Sequence, residues 1–119
     1  MRPFVLAAAG GAVGAAARWG VGEAIAPEGT GFPWHTFAVN LVGCALIGLA
    51  ARHLRRGSDA WSLLVTGVLG GLTTFSAFAH ESRTLIADGR STTAALYVVM
   101  SVLGGVVAVE VARGRGEPT

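Results

Sequence analysis

Charged residues are scarce in this sequence of 119 residues. They make up 13% of the chain, whereas soluble domains carry roughly a quarter. Lysine is absent altogether, since all nine basic residues are arginine. The arginines do not form a stripe along one polar helix, so the isoelectric point near 9.5 does not indicate nucleic-acid binding. We therefore expect no nucleic-acid partner.

Cysteine and catalytic groups are equally sparse. The single cysteine, Cys44, excludes a disulfide framework within the chain, and its apolar surroundings indicate a packing residue. The three histidines, His35, His53 and His80, lie in separate segments and lack metal-ligand spacing. The apolar segments contain no pair of carboxylates and no nucleophile placed beside a base. These absences argue against an enzyme.

Long apolar runs are what the sequence has instead, with 52% of residues hydrophobic and a mean hydropathy of +0.58. Each run approaches the roughly 20 residues that a helix needs to cross a hydrocarbon core of about 30 Å. The connections between the runs are short and polar. We predict a single all-α membrane domain over residues 1–119. Its four transmembrane helices are expected at residues 3–25, 32–51, 61–79 and 91–109.

The first apolar segment has two interpretations. Arg2, the apolar stretch and residues 24–26 would suit a cleaved signal peptide. However, four residues spaced four apart share one helix face, as a packed helix requires and a signal peptide does not. These residues are Gly10, Gly14, Arg18 and Gly22. We therefore favour a helix that is retained.

The arginines also indicate an orientation. An even number of crossings places both termini on one side of the membrane, and six arginines fall on that side against two on the other. The six are Arg2, Arg52, Arg55, Arg56, Arg113 and Arg115, and the two are Arg83 and Arg90. Cytoplasmic loops are enriched in basic residues. We predict a multi-pass protein of the inner or plasma membrane with both termini in the cytoplasm.

Polar residues inside the apolar segments indicate either function or helix contacts. Arg18 can snorkel to the interface or attract anions at a pore mouth. Asn40 shares a face with Thr36 and needs partners in hydrocarbon, so it either bonds a neighbouring helix or donates its amide N–H to an anion. On the fourth helix, small and polar residues recur every four positions, and we expect this face to avoid lipid. They are Thr93, Tyr97, Ser101 and Gly105.

The third segment is unusual at residues 70–78, where two glycines precede Thr73, Thr74 and a following Phe-Ser pair. This composition is a poor helix former. A break would free backbone carbonyls that a cation can bind, and an ordinary glycine-rich packing helix is the alternative. Phe75 and Phe78 face alike. Their electropositive ring edges can approach an anion or simply pack.

These residues resemble the Fluc/CrcB family of fluoride channels over nearly the whole chain. The first matching motif is GGAVGAAAR at residues 10–18, and the second is PWHTFAVNLVG at residues 33–43. The third motif, GGLTTFSAF at residues 70–78 followed by Glu81, is the most specific. The resemblance implies passive export of fluoride through an antiparallel dimer that has two pores and a break in each third helix.

The resemblance also implies roles for individual residues. The backbone carbonyls of Gly70 and Thr73 would hold a structural sodium ion, which is not transported. Arg18 and Glu81 would be charged residues near the pore mouths. The fluoride path would contain Asn40, Phe75, Ser76, Phe78, Tyr97 and Ser101.

Three features depart from the family pattern. His35 stands where a glycine is usual, and Gly105 replaces a residue that often carries a hydroxyl. The arginine asymmetry is the third, since a chain that inserts in both orientations needs little bias. Two assemblies are therefore open. We favour a homodimer, and the alternative is a pair with a related chain of opposite orientation.

Two other functions remain open. A non-conducting accessory membrane subunit would use the same polar residues to hold helices together. A small four-helix exporter of cationic drugs is disfavoured because it needs an embedded carboxylate. The first helix carries Arg18, which has the wrong sign, and Glu23 lies near the end of that helix.

Overall fold

The computed structural model describes residues 1–24 and 31–114, which are helical almost throughout. Trp61–Leu69 has π-type hydrogen bonding and is continued by one α-helical turn, Gly70–Leu72; together they form α3. The other helices are α1 (Arg2–Ala24), α2 (Trp34–His53), α4 (Phe75–Ala87) and α5 (Ser91–Arg113). Within the described residues, four stretches are long and apolar enough to cross a membrane, and α3 and α4 together form one of them. The described part of the chain therefore contains helices and no strands, with four candidate membrane spans.

Two of the helices extend beyond the predicted membrane spans. The third helical stretch continues to Ala87 instead of stopping at 79, so most of the expected loop before Arg90 is helix. The last helix runs to Arg113 instead of 109. The backbone hydrogen bonds of a helix form whether its side chains are polar or apolar. Hydropathy therefore marks the part of a helix that crosses the membrane and not the residue at which the helix ends. The expected end of the first helix at residue 25 lies outside the described residues.

Helices α1 and α3 pack through glycines. A Cβ at Gly10 would lie 2.9 Å from the Cα of Gly67, and a Cβ at Gly71 would lie 3.0 Å from the backbone nitrogen of Ala15. Only glycine permits this approach of two backbones. Gly14 likewise faces the backbone of α3, whereas no described atom lies within 4 Å of a Cβ built on Gly22. The predicted packing face on the first helix is confirmed for Gly10 and Gly14.

Helices α2 and α5 form the second close pair. A Cβ at Gly104 would lie 3.0 Å from Leu41 Cδ1, and a Cβ at Gly105 would lie 3.3 Å from Cys44 Sγ. Gly48 packs directly against the backbone of α5. The glycine at 105 therefore makes room for the thiol of the facing helix.

Most of the arginines lie at one end of the helix bundle. Arg2 forms an ion pair of 3.0 Å with Asp59, so the N-terminus lies beside the α2–α3 connection. Arg52 lies near Gly114, which places the end of α5 at this same end of the domain. The guanidinium of Arg90 lies at the opposite end, against Gly31. Five of the six arginines predicted to share one side lie on segments at the first end, and Arg115 is outside the described residues.

Most large apolar side chains face outward. Within residues 1–24 and 31–114, the buried apolar residues are few: Val39, Leu69, Leu85, Ala94 and Tyr97. Trp19 is 70% exposed and Val111 is 74% exposed. A water-soluble domain does not expose apolar surface on this scale. The surface therefore suits lipid, and the chain is a multi-pass membrane protein.

Candidate functional site

The third helical stretch is interrupted at two threonines. Helix α3 ends at Leu72, Thr73 has ψ 149°, and Thr74 is extended with φ −142° and ψ 121°. Helix α4 then begins at Phe75, and the Thr74 hydroxyl caps it by accepting a hydrogen bond of 3.1 Å from the backbone N–H of Ala77. Threonine is a good N-cap because its oxygen satisfies a first-turn N–H that lacks a helical partner.

Asn40 holds this interruption from the neighbouring helix. Its Nδ2 donates to the carbonyl of Thr74 at 3.1 Å, and the N–H of Thr74 donates to its Oδ1 at 2.9 Å. The side-chain amide therefore pairs with the backbone as a peptide group would. An asparagine amide has two N–H groups, so one remains for a further acceptor.

The interruption leaves the backbone carbonyls of Gly70 and Thr73 without their helical hydrogen-bond donors. In a continuous helix, the carbonyl of Gly70 accepts from the N–H of Thr74, and that of Thr73 accepts from Ala77. Asn40 and the Thr74 hydroxyl have taken those two N–H groups. Gly70 and Thr73 are the residues whose carbonyls the family resemblance assigns to sodium.

The neighbouring carbonyls are satisfied by protein groups. Arg18 Nε donates to the carbonyl of Gly71 at 3.2 Å. The carbonyl of Leu69 accepts both the N–H of Thr73 at 3.0 Å and its hydroxyl at 2.9 Å. Arg18 is half-buried and joins α1 to the end of α3, a contact that neither sequence interpretation of this residue included.

A groove of about 310 Å³ lies beside the interruption. It brings together four residues of the predicted fluoride path: Asn40, Phe75, Phe78 and Ser101. Its other described lining residues are Cys44, Ile47, Thr73, Thr74 and Val102. None of these nine carries a charged side chain. The Ser101 Oγ is buried, and none of the described residues offers it a hydrogen-bond partner.

Two phenylalanines lie along the groove. The ring centroids of Phe75 and Phe78 are 5.9 Å apart. Phe75 is 79% exposed, while Phe78 is half-buried against Tyr97 with 5.2 Å between ring centroids. Ser76 lies outside the groove, with its Oγ 3.3 Å from the Thr74 hydroxyl. Tyr97 is fully buried and does not line the groove either.

Glu81 is the centre of a second polar cluster. Its Oε1 accepts from the Thr36 hydroxyl and its Oε2 from the Tyr97 hydroxyl, both at 2.8 Å. His35 Nε2 lies 3.2 Å from Thr36 Oγ1 and 4.0 Å from Glu81 Oε1. The polar residues predicted to share one face of α5 therefore have different surroundings. Tyr97 contacts Glu81, and Ser101 lines the groove.

A second cavity of about 410 Å³ lies beside Glu81. Its described lining residues are Gly31, Pro33, His80, Glu81, Thr84, Leu85, Asp88 and Arg90. Glu81 is therefore shared between the buried cluster and an open cavity that carries charges of both signs. The described part of the chain holds no group of three His, Cys, Asp or Glu side chains suited to a metal ion.

Sequence reasoning missed several of these relationships. It did not connect Thr36 with Glu81 or Arg18 with Gly71. It also did not place Cys44 in the groove. The spacing of Thr36 and Asn40 on one face was the available signal, since it showed that this face of α2 must meet polar partners.

The chain is similar in sequence to known proteins over most of its length. A family model described as "CrcB-like protein, Camphor Resistance (CrcB)" matches residues 5–113. A protein of Chloroflexus aurantiacus named "Fluoride-specific ion channel FluC" is 41% identical, covering 98% of this chain and 96% of its own length. Proteins with the same name from Sphingopyxis alaskensis and Chlorobaculum tepidum are 49% and 45% identical. These two matches cover 83% and 88% of this chain and 82% and 86% of the relatives.

Proposed function

This chain belongs to the CrcB-like family, as its sequence motifs predicted, and we propose that it is a fluoride-specific ion channel. The observation that carries this function is the uncharged groove beside the helix interruption, which contains a buried Ser101 hydroxyl without a described partner. A small anion that sheds its water needs donors in its place. An inside-negative potential drives an anion outward by about 2.3 kcal/mol per charge per 100 mV. The channel therefore exports fluoride passively and lowers its concentration in the cytoplasm.

The groove offers donors without a fixed charge. The Ser101 hydroxyl and the second amide N–H of Asn40 can each donate to fluoride, and the ring edges of Phe75 and Phe78 are electropositive. Such groups replace water without binding the ion so tightly that it stalls. Tyr97 packs on Phe78 and extends the path toward Glu81. Ser76 adds a further hydroxyl beside the interruption, and Arg18 and Glu81 provide the charges near the path.

A second subunit completes the pore. Phe75 is 79% exposed although it lines the groove, so one chain leaves the path open along one side. An ion path that one chain leaves open to lipid must be covered by a second protein surface before it can conduct. The partner in this proposal is a second copy of the chain in antiparallel orientation, and the assembly lies in the cell membrane. The arginines at one end favour cytoplasmic termini and give weight to a related partner chain of opposite orientation.

A structural sodium ion belongs to the same proposal. The carbonyls of Gly70 and Thr73 have lost their usual helical donors, and backbone oxygens of this kind bind Na⁺ in interrupted membrane helices. The ion would supply positive charge to these oxygens and stabilise the interruption. Asn40, Thr74 and Arg18 also hold the surrounding backbone through their own hydrogen bonds.

Fluoride efflux from liposomes tests the channel function. The purified chain is reconstituted alone in liposomes loaded with fluoride, and efflux is recorded with a fluoride electrode. Chloride-loaded liposomes control for selectivity. Rapid efflux of fluoride alone is the expected result. Efflux only after addition of a related chain would establish the paired assembly, and absence of efflux in both cases would favour an accessory role.

A matched pair of substitutions tests the groove. Phe75→Ile removes an aromatic edge from the groove and should reduce fluoride efflux about tenfold or more, as loss of one favourable contact of about 1.4 kcal/mol would. Phe4→Ile makes the same change at a side chain that is 76% exposed and lies outside the groove. Equal efflux from both variants would show that Phe75 is not in the path.

A further inference from the structure

A histidine lies at the N-terminus of α2 in a position that the fluoride path does not explain. Thr36 Oγ1 is 2.8 Å from Glu81 Oε1 and 3.2 Å from His35 Nε2. A hydroxyl has one proton to donate, and an ionised carboxylate can only accept. The Thr36 proton is therefore directed at Glu81, and the Thr36 oxygen accepts from His35. In this arrangement His35 Nε2 carries a proton.

This chain of hydrogen bonds fixes the carboxylate of Glu81. The Thr36 and Tyr97 hydroxyls each hold one of its oxygens at 2.8 Å, and both residues are buried. His35 orients the Thr36 hydroxyl, and its Nε2 is 4.0 Å from Glu81 Oε1. The side chains of His35 and Glu81 are 28% and 22% exposed, and Glu81 also lines the cavity of about 410 Å³. The pair therefore lies at the edge of that cavity and is not sealed inside the helix bundle.

We propose that His35 is a positioning residue for Glu81 and that protonation of His35 increases the fluoride current, an inference that rests on the proposed channel function. With neutral His35 the pair carries a net charge of −1. With protonated His35 the net charge is zero. Glu81 lines the cavity of about 410 Å³, so an anion entering there meets the negative charge of this pair in the first state, whereas the pair is neutral in the second. Clefts lined by charge of one sign strongly alter the arrival rate of ions.

Among the described residues, few other charged groups surround this site. His80, Asp88 and Arg90 line the cavity together with Glu81. The Tyr97 hydroxyl reaches Glu81 from α5, α3 has no charged residue, and Arg18 of α1 binds the backbone of α3. Histidine is the residue that ordinarily changes charge near neutral pH. His80 is therefore the competing source of any pH response in this range.

Single-channel or macroscopic currents in planar bilayers test the proposal, because neutral HF that crosses the bilayer carries no current. The current is measured at about pH 5.5 and about pH 7.5, which bracket the range in which histidine titrates. The native chain should conduct about three- to tenfold more fluoride at the lower pH. His35→Gln keeps a side-chain N–H for Thr36 but cannot gain charge, and its current should not change with pH. His53→Gln, at the other end of α2, should respond to pH as the native chain does.

The outcomes separate this proposal from the channel function. A native current without pH dependence, or a response that persists in His35→Gln, would overturn the proposal and leave the channel function intact. A response abolished by His80→Gln instead would assign the effect to the other histidine. Absence of fluoride current in every variant at both pH values would contradict the channel function itself.

Discussion

Asn40 and Thr74 are joined by two hydrogen bonds of 3.1 Å and 2.9 Å, although they lie 34 positions apart in the chain. The asparagine side chain takes the place of a helical peptide at the point where the third span is interrupted. One residue thereby anchors the interruption to α2, diverts the N–H of Thr74 from Gly70, and lines the groove proposed for fluoride. Asn40 therefore contributes both to the stability of the fold and to the proposed fluoride path, and a substitution there should affect both.

Asn40→Asp should damage both stability and conduction. The substitution is nearly isosteric, but a carboxylate has no proton for the carbonyl of Thr74, which would lose its donor. Leaving a buried polar group unsatisfied costs about 1–3 kcal/mol. We expect that loss in the free energy of unfolding in detergent, together with a loss of fluoride efflux.

Ser82→Ala is the control for Asn40→Asp. The Ser82 hydroxyl donates only to the carbonyl of Phe78 within its own helix, at 2.8 Å. Removing a bond of this kind should change the stability by no more than about 0.5 kcal/mol. Native stability in Asn40→Asp would show that the pairing with Thr74 does not hold the interruption.

Gly14→Ala should separate α1 from α3. An alanine Cβ at position 14 would lie 2.8 Å from the backbone nitrogen of Leu72, and the backbone of α3 cannot yield as a flexible side chain would. Overpacking of this kind costs about 1–3 kcal/mol. Thermal unfolding of the purified protein in detergent measures the loss.

Gly20→Ala is the matched control on the same helix, because no described atom lies within 4 Å of a Cβ there. Alanine has the higher helix propensity, so this variant should be equally stable or more stable by up to about 1 kcal/mol. A similar loss of stability at both positions would mean that the close contact with α3 is not the cause.

Ser101→Ala should reduce conduction without reducing stability. The Ser101 hydroxyl is buried and has no partner among the described residues, so the folded chain loses no hydrogen bond when it is removed. If the hydroxyl donates to fluoride in transit, efflux should fall about tenfold, equivalent to a hydrogen bond of about 1.4 kcal/mol. Thr92→Ala, at an exposed position of α5, should leave both quantities unchanged. Unchanged efflux in Ser101→Ala would remove this residue from the path.

Sodium should stabilise the protein specifically. A ligand that binds only the folded state adds about 2.7 kcal/mol at a concentration of 100 times its dissociation constant. The carbonyls of Gly70 and Thr73 should provide that site, so the Tm should rise with Na⁺ and not with N-methylglucamine at equal ionic strength. Identical Tm values in the two salts would contradict a sodium site at the interruption.

Much of the architecture follows from the sequence because a bilayer imposes simple requirements. A span must be long and apolar, which is why four crossings could be predicted from the apolar runs of the sequence. Close helix contacts in lipid need small residues, so the four-residue spacing of Gly10 and Gly14 indicated a packing face. The family could also be predicted from the sequence, because the motifs at residues 10–18, 33–43 and 70–78 occur in the order typical of that family.

The partners of the polar groups required the folded chain. Nothing in the local sequence distinguishes whether the carbonyl of Gly71 binds a cation or Arg18, which is 53 positions away. The same holds for Glu81, which meets Thr36 across 45 positions and Tyr97 across 16. Hydrogen bonds depend on distances of a few tenths of an ångström and on direction, and helix packing sets both. Composition and spacing therefore identify which side chains need a partner in the membrane, and the packing of the helices selects which partner each of them finds.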